Sequence, residues 1–216
     1  NGFDDGDFDR RTDYEPISEA PFSILYAGSL YPEYQNPLPL FWAIQRLDQN
    51  SFIKPGDLKI RFLGTSPDKI TKMAEEVGIT PYLEFIPVIS FDESVALQKQ
   101  STALLLLKWN DELEDGVCPV KLYEYLGANR PVLSIGNYLD VTDDIMVSCQ
   151  AGVSVQAAEE IIKILRGWIT IYRQLGELPW NNNYKAVQKY SRKASASELS
   201  TLLNECTENI CLSYQQ

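Results

Sequence analysis

The sequence predicts an α/β fold, a Rossmann-like parallel sheet with helices on both faces. Short apolar runs that stop at a glycine or a loop alternate with stretches of helical periodicity along most of the chain. Several runs, among them Ala103–Leu107 and Val132–Ile135, are almost wholly apolar, the pattern of strands covered on both faces. Strand, helix and strand at these intervals make βαβ units, whose right-handed crossovers give a parallel sheet.

Residues 1–20 are polar and acidic, carry Gly2, Gly6 and Pro16, and read as a loop. Phe22–Ala27 is a compact apolar strand ending at Gly28, and Pro37–Leu47 follows as a helix with Leu40, Phe41, Ile44 and Leu47 on one face. Leu58–Leu63 alternates as a strand and ends at Gly64; the next helix opens at Pro67–Lys69 and closes at Gly78. Tyr82–Ile86 reads as a strand, Asp92–Gln100 as a short helix, and Ala103–Leu107 as the most apolar strand. After Val132–Ile135, Ala157–Leu175 is a long helix with Ile161, Ile162, Leu165, Trp168, Ile169 and Tyr172 at helical spacing. Asn181–Asn183 caps a further helix, and Ser195–Leu203 forms the last one.

The stretch Gly116–Gly136, GVCPVKLYEYLGANRPVLSIG, reads as loop, helix, turn and buried strand. Gly116 and Pro119 break the chain, so a helix starts near Pro119, where the fixed φ and missing N–H of proline are tolerated. Its first N–H groups have no intrahelical partner and carry the positive end of the helix dipole, which suits an anion. Leu122, Tyr125 and Leu126 can face the sheet, while Glu124 projects from another side, where a carboxylate accepts hydrogen bonds from sugar hydroxyls. Gly127–Pro131 turns the chain into the next strand.

This stretch resembles the nucleotide-sugar site of GT-B glycosyltransferases of the retaining family 4 type, whose pattern is a glycine-rich loop, K-L-x-E-Y-L, a small residue and a Pro-Val strand. Asn1–Asp4 (NGFD) resembles the hinge where the family's donor domain begins, and Tyr26–Tyr31 (YAGSLY) its first strand and glycine loop. Phe62–Gly64 resembles the end of the second strand, and Lys189–Arg192 (KYSR) the start of the closing helix. The resemblance implies the C-terminal half of a GT-B fold: a hinge at 1–20, a donor-binding domain at 21–180, and closing helices at 181–216. It implies that the acceptor-binding domain is absent from this sequence, so that the chain alone binds a nucleotide but transfers nothing. The full-length enzyme would move a sugar from a nucleotide diphosphate sugar, with UDP favoured, to a saccharide or lipid-linked acceptor, as in polysaccharide biosynthesis. Peripheral membrane association would run through the absent domain.

Ligands of such sheets bind beyond the carboxyl ends of the strands. The resemblance places Gly28, Ser29 and Leu30 at the donor's phosphates and the backbone around Val88 at the base. Gly64 is either a tight turn with positive φ or a close approach of backbone to a diphosphate. Pro119, Val120, Lys121 and Leu122 belong to the helix start, and Glu124 is the expected acceptor for the ribose hydroxyls. Lys121, three positions before Glu124, either pairs with it or meets a phosphate. Tyr31, Tyr34 and Trp109 lie near strand ends and either stack on base or sugar or pack in the core. Two features depart from the family. The position of its first glutamate, eight before Glu124, is Gly116, with Glu114 or Asp115 as substitutes. The basic pair of the first glycine loop is replaced at Ser29, Tyr34 and Gln35, leaving Arg61 and Lys121 as nearby cations and weakening stabilisation of a departing diphosphate.

Composition bounds the rest. With 216 residues, 44% of them hydrophobic, the chain can bury one good core. Nineteen basic against 30 acidic residues, a net charge of −11, argue against nucleic acid as a partner and against general affinity for anionic membrane. With no histidine, no Ser-His or Cys-His machinery exists here. Cys118, Cys149, Cys206 and Cys211 show no C-x-x-C spacing, so zinc is not expected and reduced cytoplasmic thiols are. D-x-D occurs at Asp5–Asp7, inside the expected hinge loop, and no G-x-G-x-x-G follows the first strand. No metal or cofactor is expected. A nucleotide-sugar epimerase of GT-B fold and a degenerate, non-catalytic donor domain are the competing readings.

Overall fold

The computed structural model describes residues 1–9, 21–109, 117–136 and 140–213. Six parallel strands form one sheet in the order β3-β2-β1-β4-β5-β6. They are β1 (Phe22–Ala27), β2 (Leu58–Leu63), β3 (Leu83–Ile86), β4 (Ala103–Leu107), β5 (Val132–Ile135) and β6 (Gly152–Val155). The order reverses between β1 and β4, which pair in register Ile24 to Ala103 and Leu25 to Leu104. At that reversal the following helices leave for opposite faces, opening a crevice at the carboxyl ends.

The helices are α1 (Asp5–Asp9), α2 (Leu38–Gln49), α3 (Pro67–Val77), α4 (Phe91–Gln100), α5 (Val120–Ala128), α6 (Val141–Cys149), α7 (Ala158–Leu175), α8 (Tyr184–Val187) and α9 (Arg192–Ser213). Strand alternation divides the core between the two faces. Ile24, Tyr26, Leu105 and Leu107 pack against Phe41, Ile44 and Leu47 of α2 and Ile161, Leu165 and Ile169 of α7. Leu25, Ala27, Leu104 and Leu106 pack against Leu122, Tyr125 and Leu126 of α5 and Ile145 and Met146 of α6. Each large apolar side chain so buried stabilises the fold by about 1.5–3 kcal/mol.

The structure departs from the sequence reading in three places. The stretch 1–9 is ordered: Phe3 and Phe8 are buried against α5, and Asp5–Asp9, including the D-x-D, is a short helix. Phe3 pairs with the entry to α9, its N–H donating to Tyr190 O and its carbonyl accepting from Arg192 N (3.3 and 2.8 Å). Between β5 and α7 there is a further unit, α6 and β6, so the sheet has one strand more than the apolar runs suggest. Finally, α5 runs through Gly127 and closes at Asn129, which takes the left-handed conformation (φ 52°). Gly127 serves packing instead, since a Cβ there would lie 2.7 Å from the Phe8 ring. Among the described residues no helix is long and apolar enough to cross a membrane.

Candidate functional site

At the carboxyl ends of β1 and β2 the backbone turns sharply through Gly28 (φ 106°) and Gly64 (φ 71°), both in the region that disfavours side chains. Gly28 N–H donates to Leu63 O and Gly64 N–H to Ile86 O, so each turn is the last rung of the sheet. The Thr65 hydroxyl donates to Gly28 O at 2.7 Å and ties the two turns together. A methyl group on Gly64 would lie 3.7 Å from Val88 Cγ2 and 3.9 Å from Gly28 Cα; one on Gly28 would lie 3.8 Å from Lys121 Nζ. The fold therefore brings Gly28, Gly64, Val88 and Lys121 together from four separate loops and helices. Gly64 is thus a positive-φ turn that lies against Gly28 at the crevice.

Helix α5 begins where its proline requires, with Pro119 extended at the N-cap and Val120 exposed as the first helical residue. Leu122, Tyr125 and Leu126 anchor it to the sheet, and Ala27 N–H donates to the Tyr125 hydroxyl at 3.0 Å. That bond fixes the helix to the last residue of β1, directly before Gly28. Leu122 is thereby a core residue, and so is Leu30, which is 9% exposed. Neither offers a side chain to a ligand; in the glycine loop only the backbone and exposed Ser29 are presented.

Lys121 does not pair with Glu124. Its ammonium lies 3.7 Å from the centroid of the Tyr26 ring, a cation–π contact beneath the glycine loop. Burial pushes its pKa down to about 7, against the upward pull of Glu124. Arg61, the other cation near the loop, is held by Glu84 on the neighbouring strand at 3.2 Å. Glu124 is half-buried on α5 and accepts from Gln98 Nε2 at 3.3 Å. Gln98 is fully buried on α4 and its own Oε1 has no partner among the described residues.

Two contributors escaped the sequence reading. Gln35, read only as a lost basic residue, is 4% exposed and organises the loop. Its Oε1 accepts from Tyr31 N–H at 3.2 Å, and its Nε2 donates to Leu107 O at 2.9 Å, joining the β1 loop to the end of β4 across the crevice. The Tyr26 hydroxyl lies 2.9 Å from Ser29 O and 3.2 Å from Gln35 Oε1, and donates to one at a time. The second is Lys108, next after β4 and 4% exposed, whose ammonium meets Asp140 and Asp143 at 3.1 and 3.0 Å. The signal was a lysine ending an apolar run with a D-x-x-D helix start downstream. Tyr31, Tyr34 and Trp109 are not core residues: they stand exposed at the same end of the sheet. Glu114, Asp115 and Gly116 lie outside the described residues.

A sheet in this order, with glycine turns and a helix N-terminus gathered at its switch point, defines the doubly wound α/β class. Within that class the fold is that of the C-terminal domain of GT-B glycosyltransferases. The C-terminal domain of a group 1 glycosyl transferase, LpcC from Francisella tularensis, is matched over 88% of this chain and 100% of that one, with a TM-score of 0.63 and 16% identity. HepE of Anabaena, solved with UDP, is matched over 95% of this chain at a TM-score of 0.70 and 13% identity. The lipopolysaccharide outer core galactosyltransferase WaaB, in its apo form, is matched over 88% at a TM-score of 0.63 and 18% identity. The chain spans about half of these longer neighbours, 56% of HepE and 51% of WaaB. No family model matches the chain, and no curated protein sequence matches it.

Proposed function

We propose that this chain is the donor-binding part of a glycosyltransferase that moves a sugar from a nucleotide diphosphate sugar to a saccharide or lipid-linked acceptor. The acceptor would be held by a domain outside this sequence, with residues 1–20 as the hinge, 21–180 as the donor domain and 181–216 as its closing helices. The observation that carries the reading is the convergence of the Gly28 turn, Lys121 and the start of α5 at the β1/β4 switch point. Backbone N–H groups and one ammonium there face the position where a diphosphate would gather charge as the sugar departs. Glu124 takes the ribose hydroxyls, the backbone around exposed Val88 takes the edge of the base, and Gln98 steadies the carboxylate. UDP is the nucleotide we favour, in line with HepE having been solved with UDP.

Replacing Glu124 by Gln in the full-length enzyme tests this. A carboxylate accepting two hydroxyls is worth about 1.5–3 kcal/mol per charged hydrogen bond, so donor affinity should fall at least tenfold. Unchanged affinity refutes the assignment. A second reading, a degenerate donor domain without catalysis, is favoured by the loop itself: Ser29, Tyr34 and Gln35 are uncharged, and buried Gln35 has become a structural clamp.

A further inference from the structure

Three aromatic side chains at the mouth of the crevice are unexplained by the fold. The sheet buries Phe22, Tyr26 and Phe62 completely, yet Tyr31, Tyr34 and Trp109 are 53%, 49% and 37% exposed. They are not scattered. The Tyr34 ring stacks on Trp109 with centroids 4.7 Å apart and planes 9° from parallel, and Tyr31 leans on the same indole at 6.4 Å and 53°. Tyr31 and Tyr34 come from the loop after β1 and Trp109 follows β4, so the cluster bridges the two strands between which the sheet order reverses. Its geometry is set from below. Gln35, next to Tyr34, bonds Tyr31 N–H and Leu107 O, two residues before Trp109, and thereby locks the aromatic loop to the end of β4. Tyr34 N–H and Gln35 N–H both donate to Tyr31 O, closing the turn that presents the rings.

We infer that Tyr31, Tyr34 and Trp109 form a platform for a pyranose ring above the β1/β4 crevice. Aromatic faces with phenol hydroxyls at their edges match a sugar, whose axial C–H groups form an apolar face and whose hydroxyls form a polar rim. Charge points the same way. Residues 31–36 contain no cation, and their one charged residue, Glu33, is paired with Lys69, so this surface suits a neutral ring better than a phosphate. The anion-binding groups lie beneath the loop, at Lys121 and the start of α5. The substitution of Tyr34 for a cation is then a change of ligand contact from phosphate to sugar. The inference rests on the proposed donor site in its location, and the pyranose belongs either to the donor's sugar or to the acceptor.

The experiment titrates the chain and its Tyr34→Ala and Tyr34→Phe variants with UDP, UDP-glucose, UDP-galactose and UDP-N-acetylglucosamine by calorimetry. Maltotriose is added in a second arm, with and without saturating UDP, and read by NMR on the tryptophan indole signals. UDP affinity should stay within twofold in all three proteins. At least one sugar-bearing probe should bind about tenfold more weakly to Tyr34→Ala and normally to Tyr34→Phe, which keeps the ring. Loss confined to a UDP-sugar assigns the platform to the donor, and loss confined to maltotriose assigns it to the acceptor. The inference is overturned if no sugar-bearing probe binds better than UDP alone and maltotriose shifts no indole signal. It is overturned too if Tyr34→Ala binds every sugar as the parent does, or loses UDP itself, which would make the platform a base-stacking site. Failure of the donor site has a different signature: no nucleotide binds the parent chain, while the maltotriose arm still reads the platform.

Discussion

Replacing Lys121 by methionine separates what the folded domain needs from what its site needs. The pKa of Lys121 falls from 10.5 to about 7 because its ammonium is desolvated under the glycine loop. A drop of that size corresponds to on the order of 4–5 kcal/mol of cost for carrying the charge in the folded state. The Tyr26 ring, 3.7 Å below, offsets about 1–2 kcal/mol of this. The net cost is about 2–4 kcal/mol, and methionine, an apolar chain of similar length, removes it. The sign with pH follows from a folded-state value depressed below the unfolded one. Between the two values the unfolded chain holds more protons, so the penalty is full below pH 7 and is relieved as pH rises towards 10.5. Urea unfolding of both proteins at pH 6, 7.5 and 10 should show Lys121→Met more stable by about 2–4 kcal/mol at pH 6, with the difference shrinking steadily to pH 10. The variant should also lose nucleotide diphosphate binding by about tenfold or more, as expected for one charge-assisted hydrogen bond. A variant less stable than the parent at pH 6, or a gain that does not change with pH, refutes the reasoning.

In the proposed site the same lysine should make nucleotide binding pH-dependent. An anion against Lys121 raises its pKa, so binding takes up a proton, and UDP affinity should fall towards tenfold per pH unit between pH 7.5 and 9; a flat profile contradicts this. Lys108→Met strands the nearly buried carboxylates of Asp140 and Asp143 without their cation and should cost about 3–5 kcal/mol in thermal or urea unfolding. An unchanged midpoint would show that the pair carries no stability. Gln35→Leu leaves Leu107 O and Tyr31 N–H unpaired, at about 1–3 kcal/mol. It should weaken sugar binding as much as Tyr34→Ala does, whereas a variant that binds every sugar probe normally would show that the loop holds its shape without the clamp.

The layered fold was legible because β1, β4 and β5 are almost wholly apolar runs and the helices have clear apolar faces, as α7 shows with Ile161, Leu165, Trp168 and Ile169. The unit α6–β6 was hidden for physical reasons. Strand β6 (GVSV) is mostly half-buried at the sheet edge, and α6 stops on Gln150 in a left-handed conformation (φ 51°) rather than on a glycine. Phe3 and Phe8 were invisible as core because they sit singly among aspartates, and only contact with α5 gives them meaning. In the site, Gly28 and the start of α5 could be read because turn chemistry and a proline-led helix leave local marks. The docking of Lys121 on Tyr26 could not, since it depends on how α5 seats against β1. Gln35 was missed for the same reason: its partner Leu107 lies far along the chain, and residue type alone suggested only a lost charge.

The central claim, a nucleotide diphosphate site at the β1/β4 switch point, is tested most directly by titrating this chain with UDP, GDP and ADP in parallel with Glu124→Ala. The account predicts saturable binding of one of them, UDP first, that disappears in Glu124→Ala while the variant stays folded. Absence of binding by all three would contradict it and leave the fold as that of a donor domain without its donor.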